Sequence, residues 1–379
     1  MRVHSQGLIS RAGSTYELLS LSAAHSAILN HIHVANLWNK LGKQSDTSGP
    51  RHWEEVRRLL RRTVELVDSC ESRSLSNIAH GLAKCKLVRS EEANALFVAV
   101  AEAAVRDGLR GFNAQALSNT AWAFATAGVS AMPLFAAVAE AAVRDGLRGF
   151  RPQELSNTAW AFATAGVPAE ALFKAVAEAA VRDGLSGFKP QALSNTAWAF
   201  ATAGVPAEAL FAELTQCITH SLTESSASWS AVALVQLHQW QLLLSFEANS
   251  RVSLLPQVLR ERCCRAMQAT EAHPSRLQSA VASALAAFHP ELEEEIIEPQ
   301  TGYSLDVALR SSRVAIEVDD PSHFLRRNSG EYWPNGPTLL KRRLLKAAGW
   351  RVVSVPFYEW DALGGRREEE QAYLRSKLS

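Results

Sequence analysis

The chain has 379 residues, 47% apolar and 20% charged, with a formal net charge of +1. That balance excludes a disordered polyelectrolyte and a uniformly basic nucleic-acid coat, and it sets a prior of two or three domains. No apolar run reaches the roughly 18 to 20 residues of a membrane span. Five cysteines, Cys70, Cys85, Cys217, Cys263 and Cys264, are odd in number and lack CxxC spacing, so they read as reduced thiols of an intracellular compartment.

Residues 1–33 form an N-terminal region. Its opening stretch, MRVHSQGLISRAGSTY, carries Arg2 and Arg11 and no acid before Glu17, a composition that fits an organellar presequence as well as an ordinary N-terminus. Residues 34–268 then repeat. LSNTAWAFATAGV begins unchanged at Leu117, Leu155 and Leu193, a period of 38, and LFVAVAEAAVRDGLRGF from Leu96 returns from Leu134 with one change, Val98 to Ala136. Both parts read as helices, with apolar residues at three- and four-residue spacing; Gly128 stops the first and Gly146 the second.

Such a hairpin is too short to bury its own apolar face, so copies must stack. Degenerate copies flank the clean ones: VANLWNKLGKQ from Val34, LSNIAHGLAKCK from Leu75 and the stretch Trp229 to Trp240. The expected fold is therefore mostly α, a right-handed α-solenoid of about six 38-residue repeats with a concave binding wall.

The periodicity then changes. Pro274 and Ser275 open a helix running to Phe288, after which Leu305, Val307 and Leu309, then Val314, Ile316 and Val318, alternate as strands do. A basic helix from Leu339 to Ala348, a strand from Arg351 and a charged last helix complete a small α/β domain over 275–379.

On a helix wheel the repeat motif sets Leu117, Ala121 and Phe124 against Ser118, Asn119, Trp122 and Thr126. Short polar side chains beside an aromatic suit single-stranded nucleic acid, the ring stacking on a base and the amide or hydroxyl bonding its edge. The equivalent sets are Ser156, Asn157, Trp160, Thr164 and Ser194, Asn195, Trp198, Thr202. Packing of the tryptophans between repeats is the competing reading. Identical sets predict the same base preference at three successive positions, or recent duplication without a code. Basic clusters at Arg57, Arg58, Arg61 and Arg62, at Arg260, Arg262 and Arg265, and at Lys341, Arg342, Arg343 and Lys346 offer phosphate contacts or merely solvated helix faces.

If Ser311 and Ser312 are the turn of a hairpin, opposed residues sum to 623 and Asp306 faces Glu317. Two carboxylates this close imply a bound cation, a retained proton or solvent. With Asp319 two residues on and His323 beyond, the cluster is similar to the metal site of PD-(D/E)XK nucleases, and that resemblance implies the restriction-endonuclease-like fold. Asp306 and Glu317 would then hold Mg²⁺ or Mn²⁺, with Asp306, Glu317, Asp319 and His323 catalytic. Asp319 stands where the family's lysine belongs, so a lysine would have to come from the next helix, Lys341 or Lys346. Binding without chemistry needs no cofactor and is the favoured reading.

Two further resemblances rest on these residues. The NTAWAFAT helix at a 38-residue period resembles the octotricopeptide repeats of algal and protist organellar RNA-binding proteins. AIEVDDPSHF from Ala315, GPTLLKRRLLKAAGW from Gly336 and VVSVPFYEW from Val352 closely resemble the RAP domain, over about 313–374, with Asp320 in place of a common glycine. RAP domains occur in the Fas-activated serine/threonine kinase family, whose kinase name carries no weight here because glycine-rich loop, HRD and DFG signatures are lacking. The resemblances imply an organellar protein of the mitochondrial matrix or the chloroplast stroma, binding single-stranded mRNA or rRNA in RNA processing, stability or rRNA maturation, with ribonucleoprotein partners and no membrane. A metal-dependent endoribonuclease and a protein scaffold of ribosome assembly are the alternatives. Trp350 and Trp360 read as core.

Overall fold

A computed structural model describes residues 2–44, 52–87, 90–144, 146–223, 228–246, 252–269, 274–326 and 331–379. It is a mostly helical array of stacked helices followed by a small mixed α/β sheet domain. The chain divides into two compact units, Met1–Ala192 with Leu325–Tyr332, and Leu193–Phe324 with Trp333–Ser379.

In the first unit the helices are α1 (Arg2–Arg11), α2 (Thr15–Ala24), α3 (His31–Leu41), α4 (Trp53–Leu66), α5 (Ser72–Lys84), α6 (Glu91–Arg106), α7 (Ala114–Ala127), α8 (Met132–Arg144), α9 (Pro152–Thr164) and α10 (Glu170–Arg182). Odd helices pack on odd ones and even on even ones, and the layering begins with α1 and α2, ahead of residue 34. The odd helices approach one another much more closely than the even ones do. That difference curves this unit, with the odd layer on the inside.

The close approach follows from small side chains. Ala123 and Ala161 are fully buried at equivalent motif positions, and in the degenerate copy Gly81 stands there. A Cβ on Gly81 would collide with the Trp38 carbonyl group. Between the layers, Phe97 meets Phe124 and Phe135 meets Phe162 edge-on at 5.1 and 5.0 Å. All four are buried, each contributing about 1.5–3 kcal/mol.

The stop signals work as read. Gly128 takes φ 66°, letting the Val129 N–H donate to the Phe124 carbonyl at 3.1 Å, a Schellman closure. Leu109, Leu147 and Leu185 also adopt positive φ, at 57°, 54° and 55°, a conformation costing each roughly 1–2 kcal/mol that is offset by burying the side chain. One loop departs from its copies. Ser130 donates its N–H to the Arg326 carbonyl and Arg326 donates back to Gly128, both at 3.2 Å, whereas Pro168 and Pro206 occupy the equivalent positions and have no N–H to give.

The second unit holds α11 (Pro190–Ala203) from Leu193 onward, α12 (Glu208–Thr223), α13 (Ala231–Phe246) and α14 (Gln257–Gln268), then α15 (Arg276–Ala286), capped by Ser275 as expected. Its sheet runs β1 (Glu293–Ile297), β2 (Ser304–Leu309), β3 (Val314–Asp319), β6 (Arg351–Pro356), antiparallel except for β3 with β6. Short strands β4 (Phe324–Arg326) and β5 (Tyr332–Pro334), then α16 (Gly336–Ala347), separate β3 from β6; α17 (Phe357–Asp361) and α18 (Arg367–Leu378) end the described chain. The core joins Val281 and Leu285 of α15 to Val307, Ile316, Val318, Val355 and Trp360, and Trp350 is buried too.

Val307 faces Ile316 and Leu309 faces Val314, the register that the Ser311-Ser312 turn predicts. Arg313, at φ 51°, closes that turn. β1 is an addition, because its run of three glutamates carries no alternation to read. Asp320 needs no glycine conformation; its carboxylate accepts the Ser322 N–H at 2.6 Å and caps the following turn.

Gly81→Ala separates two opposed effects: alanine gains about 1 kcal/mol in helix propensity, while overpacking against a backbone costs about 1–3 kcal/mol. Chemical denaturation is expected to show net destabilisation; a stabilised variant would refute the close approach.

Candidate nucleic-acid interface

The inner layer of the first unit presents a repeated pair. Asn77 and His80 of α5, Asn119 and Trp122 of α7, and Asn157 and Trp160 of α9 are all partly exposed at equivalent motif positions. Trp122 packs against His80 with ring centroids 5.1 Å apart, so the aromatic of one repeat lies on that of the one before. Burial, with Lys84 and Lys43 nearby, lowers the His80 pKa to about 4, leaving a neutral ring at neutral pH.

The serines of the predicted face do not belong to it. Ser118, Ser156 and Ser194 are no more than 1% exposed, because motif position two meets neighbouring backbone or side chains rather than solvent. Ser76 donates to the Ala116 carbonyl at 3.2 Å, Ser156 to the Gln153 carbonyl at 3.1 Å, and Ser194 to Gln236 at 2.9 Å. Thr126 is exposed and Thr164 partly so. In the third copy, Asn195, Trp198 and Thr202 are all buried.

The basic residues of α16 are mostly committed as well, which corrects their reading as phosphate ligands. Lys341 pairs with Glu317; Arg342 reaches Asp319 at 2.6 Å and Ser354 at 2.7 Å. Arg343 donates to the Ala201 carbonyl in the last turn of α11, where a cation suits the helix dipole. Lys346 is exposed. In the earlier cluster, Arg57 pairs with Glu92, Arg58 with Glu54 and Arg62 with Glu65.

The sheet explains why α16 is drawn in. Between the Glu294–Val307 and Ile296–Leu305 pairs the β1–β2 register sets Glu295 opposite Asp306; continued one residue past Val307–Ile316, the β2–β3 register sets Asp306 opposite Glu317; and Glu317 pairs with Ser354 in β6. Three acids and a serine thus form one row across all four strands. Gln278 of α15 and Ser304 donate to Glu295, and the Val318 N–H donates to Asp306 at 2.7 Å. His323 lies 3.3 Å from Asp319. The sequence reading missed Glu295 and Gln278, which stand outside any alternating pattern.

Burial, with Asp306 and Asp319 close by, raises the Glu317 pKa to about 7 against the pull of Lys341. Burial likewise raises Asp306, opposed by Lys341 and the Val318 N–H. For Asp319 burial is outweighed by His323, Arg342 and Ser354, which lower it. Burial opposes the Lys341 charge, yet Glu317, Asp306 and Asp319 together raise its pKa.

A divalent ion needs several open oxygen positions. Here Asp306 Oδ2 meets the Val318 N–H, Glu317 Oε2 meets Lys341 and Asp319 Oδ2 meets Arg342 and Ser354, while the buried Glu317 Oε1 has no hydrogen-bond partner; among the described residues no three His, Cys, Asp or Glu side chains are grouped to hold a metal.

Lys341→Met is expected to destabilise the protein by about 3–5 kcal/mol by stranding a buried charge, with most of the loss recovered in Lys341→Met/Glu317→Gln; denaturation curves of both check this. Because the folded pKa of Glu317 lies above its ordinary value, its contribution is full below about 4.5 and lost as pH rises through 7. The Tm of Glu317→Gln relative to the parent should therefore climb across that window, and a flat difference would refute the assignment.

Residues 316–377 match the RAP domain model, a span that contains Glu317, Asp319, His323, Lys341 and Arg342 and leaves out Glu295 and Asp306. A stretch of 77 residues is 46% identical to the chloroplastic RAP domain-containing protein of Oryza sativa subsp. japonica, covering 20% of this chain and 11% of that relative. No helix among the described residues is long and apolar enough to cross a membrane. The chain thus carries a RAP domain at its C-terminus, preceded by a long region of helical repeats.

Proposed function

We propose that this protein binds single-stranded RNA in an organelle and acts there in RNA processing, stability or rRNA maturation. The observation that carries the reading is the partly exposed amide and aromatic pair returning on α5, α7 and α9. An aromatic face stacks on any base, and an amide bonds a base edge without a charge. The RAP domain at the C-terminus supports the same partner, and the chloroplastic name of the rice relative supports a plastid over a mitochondrion.

The chemistry proposed is binding alone. Of the acids that a nuclease would use, Glu317 is paired with Lys341 and Asp319 with Arg342, while Asp306 accepts the Val318 N–H; with most of the α16 bases so committed, stacking is given the larger share of affinity. Lys346 supplies a phosphate contact from α16.

Titration of fluorescent single-stranded RNAs tests the reading. Trp122→Ala and Trp160→Ala should each lose about 1–3 kcal/mol of affinity, and Lys346→Ala should lower the salt slope by about 0.7. RNA cut in Mg²⁺ by the parent and left intact by Glu317→Ala would establish an endoribonuclease instead. No affinity at low salt would leave the protein scaffold.

A further inference from the structure

Three identical copies of LSNTAWAFATAGV do not present three identical surfaces. Asn119 and Asn157 are partly exposed, while Asn195 is 9% exposed and Trp198 5%. Sequence within the copies cannot cause this difference, so its origin lies in the elements that pack on the third copy: Arg343 of α16 at its end, and α13 at Ser194 and Asn195. At α13 the motif gives way to AVALVQLHQW, which brings Gln236 against α11. The Gln236 side chain accepts from the Ser194 hydroxyl at 2.9 Å and donates through Nε2 to the Asn195 side-chain oxygen at 3.1 Å. It is itself 7% exposed. A primary amide bonded to the Asn195 amide makes the contact that a base edge would make, with hydrogen-bonding groups of the same kind.

We propose that Gln236 is a built-in terminator of base selection: it occupies the Asn195 amide, so the third copy is a structural repeat and the RNA is read at two like positions rather than three. This rests on the RNA-binding reading above and narrows it to a target containing a doublet of one nucleotide. Asn119 and Asn157 are the specificity-determining residues of that doublet. Gln236 is a positioning residue, holding Asn195 away from ligand.

Selection from a randomised single-stranded RNA library, read by sequencing, tests this with the full-length chain. The parent should enrich two adjacent positions of identical preference. Gln236→Ala, with Gln236→Ser as a second variant of smaller packing change, should add one more position of that preference and tighten binding to the longer run about three- to tenfold, the gain from one net hydrogen bond. The double variant Gln236→Ala/Asn195→Ala should return to the doublet. Thermal melts select the variants that remain folded. A parent that already enriches three like positions, or folded Gln236 variants that select as the parent does, would overturn the terminator while leaving RNA binding intact. A parent that enriches nothing would overturn the RNA reading, and the terminator with it.

Discussion

The closeness of the odd-numbered helices governs the rest of the first unit. With Ala123 and Ala161 fully buried and glycine required at 81, side chains larger than a methyl are excluded from the line of contact. Larger groups are displaced to its two sides. On one side the phenylalanines close the core; on the other the asparagine, tryptophan and histidine remain at the inner face. The identity of the thirteen-residue copies therefore mixes two demands. Serine and alanine answer to packing, asparagine and the aromatic to whatever lies on the inner wall.

In the RAP domain, by contrast, electrostatics takes the place that small side chains hold in the repeats. A row of acids across the sheet cannot remain on one face uncompensated, so α16 turns its lysine and arginine inward. Helix and sheet are matched by charge, and a helix that looks like a nucleic-acid ligand is mainly a counterion layer. Burial, with the neighbouring acids, outweighs that compensation at Glu317, whose pKa is raised to about 7.

Much of this was legible in the sequence. The 38-residue period gave the layers, Gly128 and Gly146 the helix ends, and the Ser311-Ser312 turn the register of β2 and β3. The signal failed where a residue's environment is set by another element. Ser118 lies on the polar side of its own helix yet is covered by a neighbour, which no helix wheel can register. Lys341 was legible as a lysine available to Glu317, but whether a basic residue faces solvent or an acid is decided by a strand some twenty residues away. β1 stayed hidden because an edge strand rich in glutamate lacks the alternation of a half-buried one. The third copy is the sharpest case, since its burial is written in α13 and α16 and not in the repeat.

Serine at position 130, where the next two copies carry Pro168 and Pro206, has a consequence for assembly fidelity. A repetitive scaffold invites an incoming strand to dock one unit out of place, because every unit offers the same shape. Proline at 168 removes the donor from the next loop of the first unit, so a slip by one repeat would leave the Arg326 carbonyl unmet. One backbone N–H at Ser130 thereby gives an otherwise periodic object an address.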